Sequence, residues 1–348
     1  MLEKGGGNVR TKQPRRATLD EVAQRAGVSP STVSRVVRGS TPVSEELEKA
    51  VRDAVRATGY IPNLAARQLA TSRSDTLGVV IPEDQLRVFG DPFFLELLQG
   101  VANHLATTRF HLIMMMGRTA EDPDWLMHYA GGGHMDGVML ITPERPGIAG
   151  KFIAPVGVPV VYMGKPFRAS RKASYVDADN VGGIKQAVEY LYEQGRRRIA
   201  MVTGIPGMRS AVDRTAGYRH GMASVGLPVE KDLILPTDYT KAGGEMAMDR
   251  LLRSANGIDA VVTASDLVAT GVLRSLQRAG IKVPADIAII GFGDDWIAAE
   301  TEPPLTTISQ NAVQMGIKLA ELMVSAIEGQ PGPLRFIMPT RLVVRATA

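Results

Sequence analysis

The chain runs to 348 residues, 45% of them hydrophobic and 22% charged, which is the balance of a soluble globular protein with length for two or three domains. It contains no cysteine, and this excludes disulfides, thiolate metal sites and thiol catalysis. The net charge of +4 is uneven: residues 1–74 carry thirteen basic and seven acidic side chains, a net +6, leaving −2 for the rest, and a basic head on a mildly acidic body suits a polyanionic partner.

The opening stretch, MLEKGGGNVRTKQPRR, is Gly-rich and basic and is expected to be a disordered arm. It has no apolar core of a signal peptide, and no later run is long enough to span a membrane, so a cytoplasmic protein is expected. Thr18 is a plausible N-cap, with Glu21 completing a capping box, and Leu19, Val22, Ala23 and Ala26 recur at helical spacing. Gly27 supplies a turn. Ser29 then caps a second helix with Pro30 in its first position, and Val33, Val36 and Val37 are expected to point inward. That leaves Ser31, Thr32, Ser34 and Arg35 on the outer face, small hydroxyls and one guanidinium that can enter a DNA major groove. A third helix begins after Ser44, with Leu47, Ala50, Val51, Ala54 and Val55 as its buried stripe, and Gly59 ends it. A three-helix bundle with no ligand has the same spacing; the hydroxyl-rich second helix and the charge favour DNA.

In YIPNLAARQLATSRS, Pro62 bars a continuous helix and Asn63 can cap a new one of two turns. A helix that short is marginal alone and is expected to fold only when packed against something. Its Leu69 is an apolar wedge of the kind that enters a minor groove; a plain linker helix stays open as the alternative.

From residue 75 onward short β-branched runs alternate with helical patterns. Strands are expected at 77–82, 110–116, 136–141 and 158–163, with helices at 92–107 and 125–130 between them. After VDADN the pattern restarts: helices at 182–194, 214–224, 242–253 and 267–279 alternate with the strands RIAMVT, LILP, DAVVTA and IAIIGF. Two successive α/β halves predict two doubly wound parallel sheets, with a ligand held where their strand ends face each other. The chain closes on a strand-like RLVV with no heptad pattern, so no coiled coil is expected.

Strand-end positions supply the ligand candidates. Phe93 and Phe94 follow the Asp91-Pro92 turn, and Arg214 is placed at the start of a helix after TGIPGMRSAVD, with Arg209 close enough to replace it. Asp294 follows the strand IAIIGF, and Trp296 comes two residues later; a carboxylate beside an indole suits a carbohydrate. Asp294 and Asp295 as simple helix caps, and one Phe as ordinary core, remain open. The five histidines form no Ser/His/Asp set or metal-ligand spacing, and Gly131-Gly132-Gly133 lacks the strand–glycine–helix setting of a nucleotide site. No cofactor and no metal is expected.

The segments TLDEVAQRAGVSPSTVSRVVRG and VSEELEKAVRDAVRATGYIPNLAARQLAT resemble the DNA-binding head and hinge of the lactose and galactose repressor family. LGVVIP, DPFFLELLQGV, VDADNVGG, DRTAGYRHGM, VPADIAIIGFGD and PPLTTI continue the resemblance in family order. It implies a helix-turn-helix head at 17–62 after an arm at 1–16, a hinge at 63–74, and a two-lobed core at 75–348 like that of periplasmic sugar-binding proteins. The first lobe would take about 75–174 plus a return near 305–335, and the second about 175–304 plus the C-terminal strand.

The resemblance further implies a homodimeric repressor on a palindromic double-stranded operator, controlled by a mono-, di- or oligosaccharide and independent of membranes. The candidate DNA contacts are Thr18, Ser29, Ser31, Thr32, Ser34, Arg35, Arg38, Asn63, Ala66 and Leu69. The candidate effector contacts are Phe93, Phe94, Arg214, Asp266, Asp294 and Trp296. Arg214 matches the family's pocket arginine before Ala216-Gly217-Tyr218. Two positions depart: Ser265-Asp266 stands where lactose repressors carry Asn-Asp, and Gly293 stands where many members carry the first of two aspartates. A nucleobase-responsive co-repressor, a sugar transport receptor and an enzyme are the competing functions.

Overall fold

The structure, a computed structural model, describes residues 17–38, 43–61, 73–116, 129–141, 157–166, 173–255 and 257–348. The expected arm, the hinge helix with Asn63, Ala66 and Leu69, and residues 125–128 lie outside them. Contacts divide the chain into two units, Met1–Ser74 and Asp75–Ala348, and each is described by itself.

The head holds three helices, α1 (Leu19–Ala26), α2 (Pro30–Arg38) and α3 (Glu45–Thr58). Thr18 and Glu21 form the reciprocal capping box, Thr18 Oγ1 accepting from Glu21 N at 3.3 Å and Glu21 Oε2 from Thr18 N at 2.9 Å. Gly27, at φ +66°, takes the left-handed conformation that lets the chain turn into α2. Val22, Ala23, Val33, Val51 and Ala54 make the small core. Three expectations fail here. Val37 and Ala50 face outward rather than inward, and Ser44 makes no side-chain hydrogen bond to α3. A core this small has room for only one apolar stripe per helix.

The second unit begins with β1 (Thr76–Ile81), the short helix α4 (Gln85–Gly90) and α5 (Pro92–Leu105). The strands β2 (His111–Met116), β3 (Gly137–Ile141), β4 (Val160–Met163) and β5 (Ser174–Ala178) follow. The chain then crosses into α6 (Asn180–Glu193), β6 (Ile199–Thr203), α7 (Arg209–Ser224), β7 (Ile234–Pro236) and α8 (Lys241–Ser254). It continues through β8 (Ala260–Thr263), α9 (Asp266–Arg278), β9 (Ala288–Gly293), α10 (Trp296–Glu300) and β10 (Thr306–Ser309). Last come α11 (Ala312–Ile327), β11 (Arg335–Met338) and β12 (Arg341–Val343).

Two six-stranded sheets result, ordered β11-β5-β4-β3-β1-β2 and β12-β10-β9-β8-β6-β7. Their pairs are parallel except β12, which runs antiparallel to β10. Each sheet is the centre of one lobe, and most strands read as continuous apolar runs because both faces are covered. The return to the first lobe comprises α11 and β11, so 306–309, placed in sequence near the start of the crossover, belongs to the second sheet. The chain therefore passes between the lobes after Ala178, after Ser309 and after Met338. On the first lobe α11 packs against α5 with backbones nearly touching: a Cβ at Gly316 would lie 2.0 Å from Leu97 O, and one at Gly100 would lie 2.0 Å from Val313 O.

Candidate functional site

Strand ends of both sheets open onto a cleft that, with its open mouth counted, holds about 820 Å³ of empty space. The first lobe contributes Arg87 from α4, then Asp91, Phe93 and Phe94 at the start of α5, and Lys165 after β4. Asp91 caps α5 by accepting from Phe93 N at 3.1 Å, and that cap fixes where the two rings point. The rings meet edge to face, 5.4 Å between centres; Phe94 is fully buried in the lobe core and Phe93 only in part. The second lobe supplies Arg209, Ser210, Arg214, Tyr239, Ser265, Phe292 and Asp295, while Asp177 comes from the end of β5 and Asn180 and Gln310 from the crossovers.

Arg214 lies in the second turn of α7, which starts at Arg209 rather than at Arg214 as expected, because the break at Pro206-Gly207 ends the preceding loop early. Its guanidinium is buried, and each of its three nitrogens donates one hydrogen bond. Nε donates to Asn180 Oδ1 at 2.8 Å, Nη2 to Gln310 Oε1 at 3.3 Å, and Nη1 to the Ala264 carbonyl. The Phe292 ring lies beneath it, 3.7 Å from the guanidinium carbon to the ring centre. Asn180 in turn donates to Asp177 Oδ1 at 3.0 Å, so one arginine gathers two interlobe crossovers onto the end of β8. Burial lowers the Arg214 pKa and raises those of Asp91 and Asp177. Arg209, the other candidate guanidinium, is held by Asp213 at 2.7 Å.

Asp266 and Asp294 stand elsewhere than in the lining. Asp266 is buried one layer behind, accepting from Thr307 Oγ1 at 2.5 Å and from Asp295 N at 3.2 Å. Asp294 turns away at φ +57° and pairs with Arg345 at 2.6 Å. The carboxyl that faces the cleft is Asp295, the residue after it. Trp296 is 54% exposed and outside the lining, its backbone N–H donating to Glu96 Oε1 of the first lobe at 3.3 Å. The glycine at 293 has a physical reason: at φ +144° a side chain there would meet Asp266 Oδ2 at 3.0 Å and Asp295 Oδ2 at 3.4 Å. Those two carboxyls fill the space. Arg87, Asp177, Asn180, Tyr239 and Gln310 were not singled out in sequence, and Asp295 only as a helix cap; Asp177 and Asn180, both in the quoted VDADN, carried the only signal.

Burial pushes the Asp266 carboxyl up to about 7; burial and then the charge of Asp266 push Asp295 up to about 9. A carboxyl whose pKa rises on folding keeps its proton longer in the folded chain than in the unfolded one. Its contribution to stability is therefore full below about pH 4 and is lost as pH climbs towards about 9. The urea midpoint of the core is expected to fall between about pH 5 and about pH 9, and Asp295→Asn is expected to flatten that fall. Equal slopes for both proteins would clear the pair of responsibility.

In the head, the exposed side of α2 carries a chain of hydroxyls. Ser29 Oγ lies 2.7 Å from Ser31 Oγ and 2.8 Å from Thr32 Oγ1, and Arg35 Nη2 donates to Thr32 Oγ1 at 3.3 Å. Ser29 Oγ also accepts from Thr32 N at 3.2 Å, so it caps the helix. Thr18 is engaged in its own capping box and Ser34 is half-buried; the Arg38 side chain lies outside the described residues. Among the described residues no group of His, Asp and Glu is arranged to hold a metal, and no helix is long and apolar enough to cross a membrane.

Residues 18–63 match the model of bacterial regulatory proteins of the lacI family, and residues 188–348 match that of the periplasmic binding protein-like domain. The chain is 39% identical to the HTH-type transcriptional regulator CelR of Thermobifida fusca, over 95% of this chain and 98% of that protein. It is 30% identical to the HTH-type transcriptional repressor CytR of Escherichia coli strain K12, over 97% of each. Among solved structures, the transcriptional regulator CelR–cellobiose complex superposes with a TM-score of 0.76 at 37% identity, covering 96% of this chain and 100% of that one. With a capped helix-turn-helix head, a core of two parallel sheets and relatives aligned from end to end, the chain belongs to the lacI family of bacterial transcriptional regulators.

Proposed function

We propose that the chain is a transcriptional repressor whose hold on its operator is set by a sugar, of mono- to oligosaccharide size, bound between the two lobes of the core. The observation that carries this is the cleft itself, where carboxyls, amides and a guanidinium stand beside Phe93, Phe94 and Tyr239. Hydroxyls of a sugar pair with the first group and its C–H faces lie on the second. The relative solved with cellobiose supports the class of ligand. A sugar touching both lobes binds one lobe arrangement better than another, and that difference in affinity is what moves the operator equilibrium. A regulator of this family acts on chromosomal DNA, which places it in the cytoplasm.

On the DNA side Ser31, Thr32 and Arg35 are the proposed readers, because they occupy the exposed N-terminal half of α2. Two-fold pairing of the head on a palindrome calls for a dimer. The strand β2 ends the first sheet and leaves Ile113 and Met114 exposed, an apolar edge that a second copy can cover. Arg35→Ala is expected to weaken operator binding by about 1–3 kcal/mol with the core unchanged. Fluorescence anisotropy at fixed salt measures it, and unchanged affinity would move the reading helix elsewhere. The same titration with mono-, di- and oligosaccharides, purines and sugar phosphates tests the effector. A purine response alone would discard the sugar.

A further inference from the structure

Among the described residues, three buried side-chain polar atoms have no hydrogen-bond partner: Arg87 Nε, Arg87 Nη1 and Asp295 Oδ1. Both residues line the same cleft, and they reach it from opposite lobes. Arg87 rides on α4, which Asp84 starts by accepting from Leu86 N at 2.8 Å. Its guanidinium crosses to the second lobe, 4.9 Å from the centre of the Tyr239 ring and, through Nη2, 3.9 Å from Met208 Sδ. Nη1 sits 2.8 Å from Glu83 Oε2 at an angle that makes an ion pair and no hydrogen bond, so the charge is matched while two donors stay unused. Asp295 gives its backbone N–H to Asp266 and leaves Oδ1 without a donor. Buried polar groups without partners are costly, and at a cavity wall they mark where a ligand supplies them.

The other guanidiniums of the cleft are already engaged within the chain. Arg214 spends all three nitrogens on Asn180, Ala264 and Gln310, and Arg209 is paired with Asp213. Carboxyls of Asp91, Asp177 and Asp295 face the cleft, with Glu83, Asp213 and Asp266 behind them. An anionic ligand would find Arg87 and Arg209 already ion-paired, with Glu83 and Asp213, before it arrives.

We propose that Arg87 and Asp295 are the two polar anchors of the effector, one from each lobe, and that they select an uncharged polyol over a phosphorylated or carboxylated sugar. One hydroxyl oxygen accepts from Arg87 Nε–H, and a second hydroxyl donates to Asp295 Oδ1. The proposal rests on the reading of the cleft as a sugar site and goes further by naming the charge of the sugar and the residues that choose it.

The test uses the full chain in calorimetric titrations with cellobiose, maltose, sucrose and trehalose, and with the 6-phosphate and uronate forms of whichever binds tightest. Arg87→Lys keeps a charge opposite Glu83 and loses the Nε–H donor; Asp295→Ala removes the acceptor. Each variant is expected to bind the neutral sugar about ten- to a hundredfold more weakly, with the unliganded melting temperature little changed, since Arg87 Nε and Asp295 Oδ1 forfeit no hydrogen bond. The charged forms are expected to bind wild type at least tenfold more weakly than the parent sugar. Equal sugar affinity in wild type and both variants overturns the anchors while leaving the cleft reading intact. A charged sugar binding as tightly as its parent overturns the selectivity. A melting temperature that falls in step with affinity reduces both residues to structural ones and overturns the proposal. If wild type binds no sugar of either kind, the cleft reading fails and the proposal fails with it.

Discussion

Arg214→Ala is expected to abolish the ligand response and to destabilise the core by about 3–5 kcal/mol. The reason is that Arg214 is a staple as well as part of the cleft wall. Three acceptors, on Asn180, Gln310 and the Ala264 carbonyl, converge on one buried guanidinium. Alanine leaves all three without a donor, and each buried orphan costs about 1–3 kcal/mol before relaxation. Arg214→Lys is expected to recover only part of that loss, because one ammonium cannot span the fork. Because Asn180 and Gln310 sit on separate crossovers, the variant also frees two of the segments that join the lobes. Thermal melts read the first effect and operator release by sugar reads the second. An unchanged melt would remove the staple, and a retained response, lost instead in Arg209→Ala, would hand the ligand-facing role to Arg209.

Gly316→Ala and Gly100→Ala should each cost about 3 kcal/mol or more, at the upper end for overpacking. The new methyl would stand 2.0 Å from a backbone carbonyl of the facing helix, and unlike a side chain a helical carbonyl cannot rotate aside. Relief requires α11 to lift off α5, which opens the apolar core beneath them around Leu97, Val101 and Leu319. Gly90→Ala is the matched control: nothing lies within 4 Å of its new carbon, and the expected change is within about 0.5 kcal/mol. Denaturant midpoints of the three variants decide the matter. Equal midpoints would mean that the two helices tolerate separation.

Much of this architecture is legible in the residues. The capping box at Thr18 and Glu21, the glycine turn after α1 and the regular alternation of strand and helix each rest on local chemistry that tertiary packing reinforces. What was missed depends on geometry with no local trace. The six residues of α4, QLRVFG, show no period, so Arg87 was invisible. Asp294 and Asp295 are chemically identical neighbours, and only the left-handed φ of the first decides which faces the cleft. HLIMMM reads as a buried strand, yet β2 lies at a sheet edge, a fact of topology rather than composition. Trp296 drew attention because indoles bind sugars; it stands exposed at the start of α10, its backbone N–H on Glu96, two hundred residues away in sequence.

The threading of the chain has a consequence for how the protein is made. The first sheet is closed by β11 and its helical layer by α11, both encoded after the whole of the second lobe. The second sheet in turn waits for β12, and for Thr347, whose hydroxyl accepts from Thr306 N and donates to the Ile289 carbonyl, both at 2.8 Å. On the ribosome, then, neither lobe can complete its core until nearly the last residues have emerged. The basic head, with its own small core, is finished some three hundred residues earlier, so a DNA-reading module is exported from the tunnel long before the part that controls it can answer to any ligand.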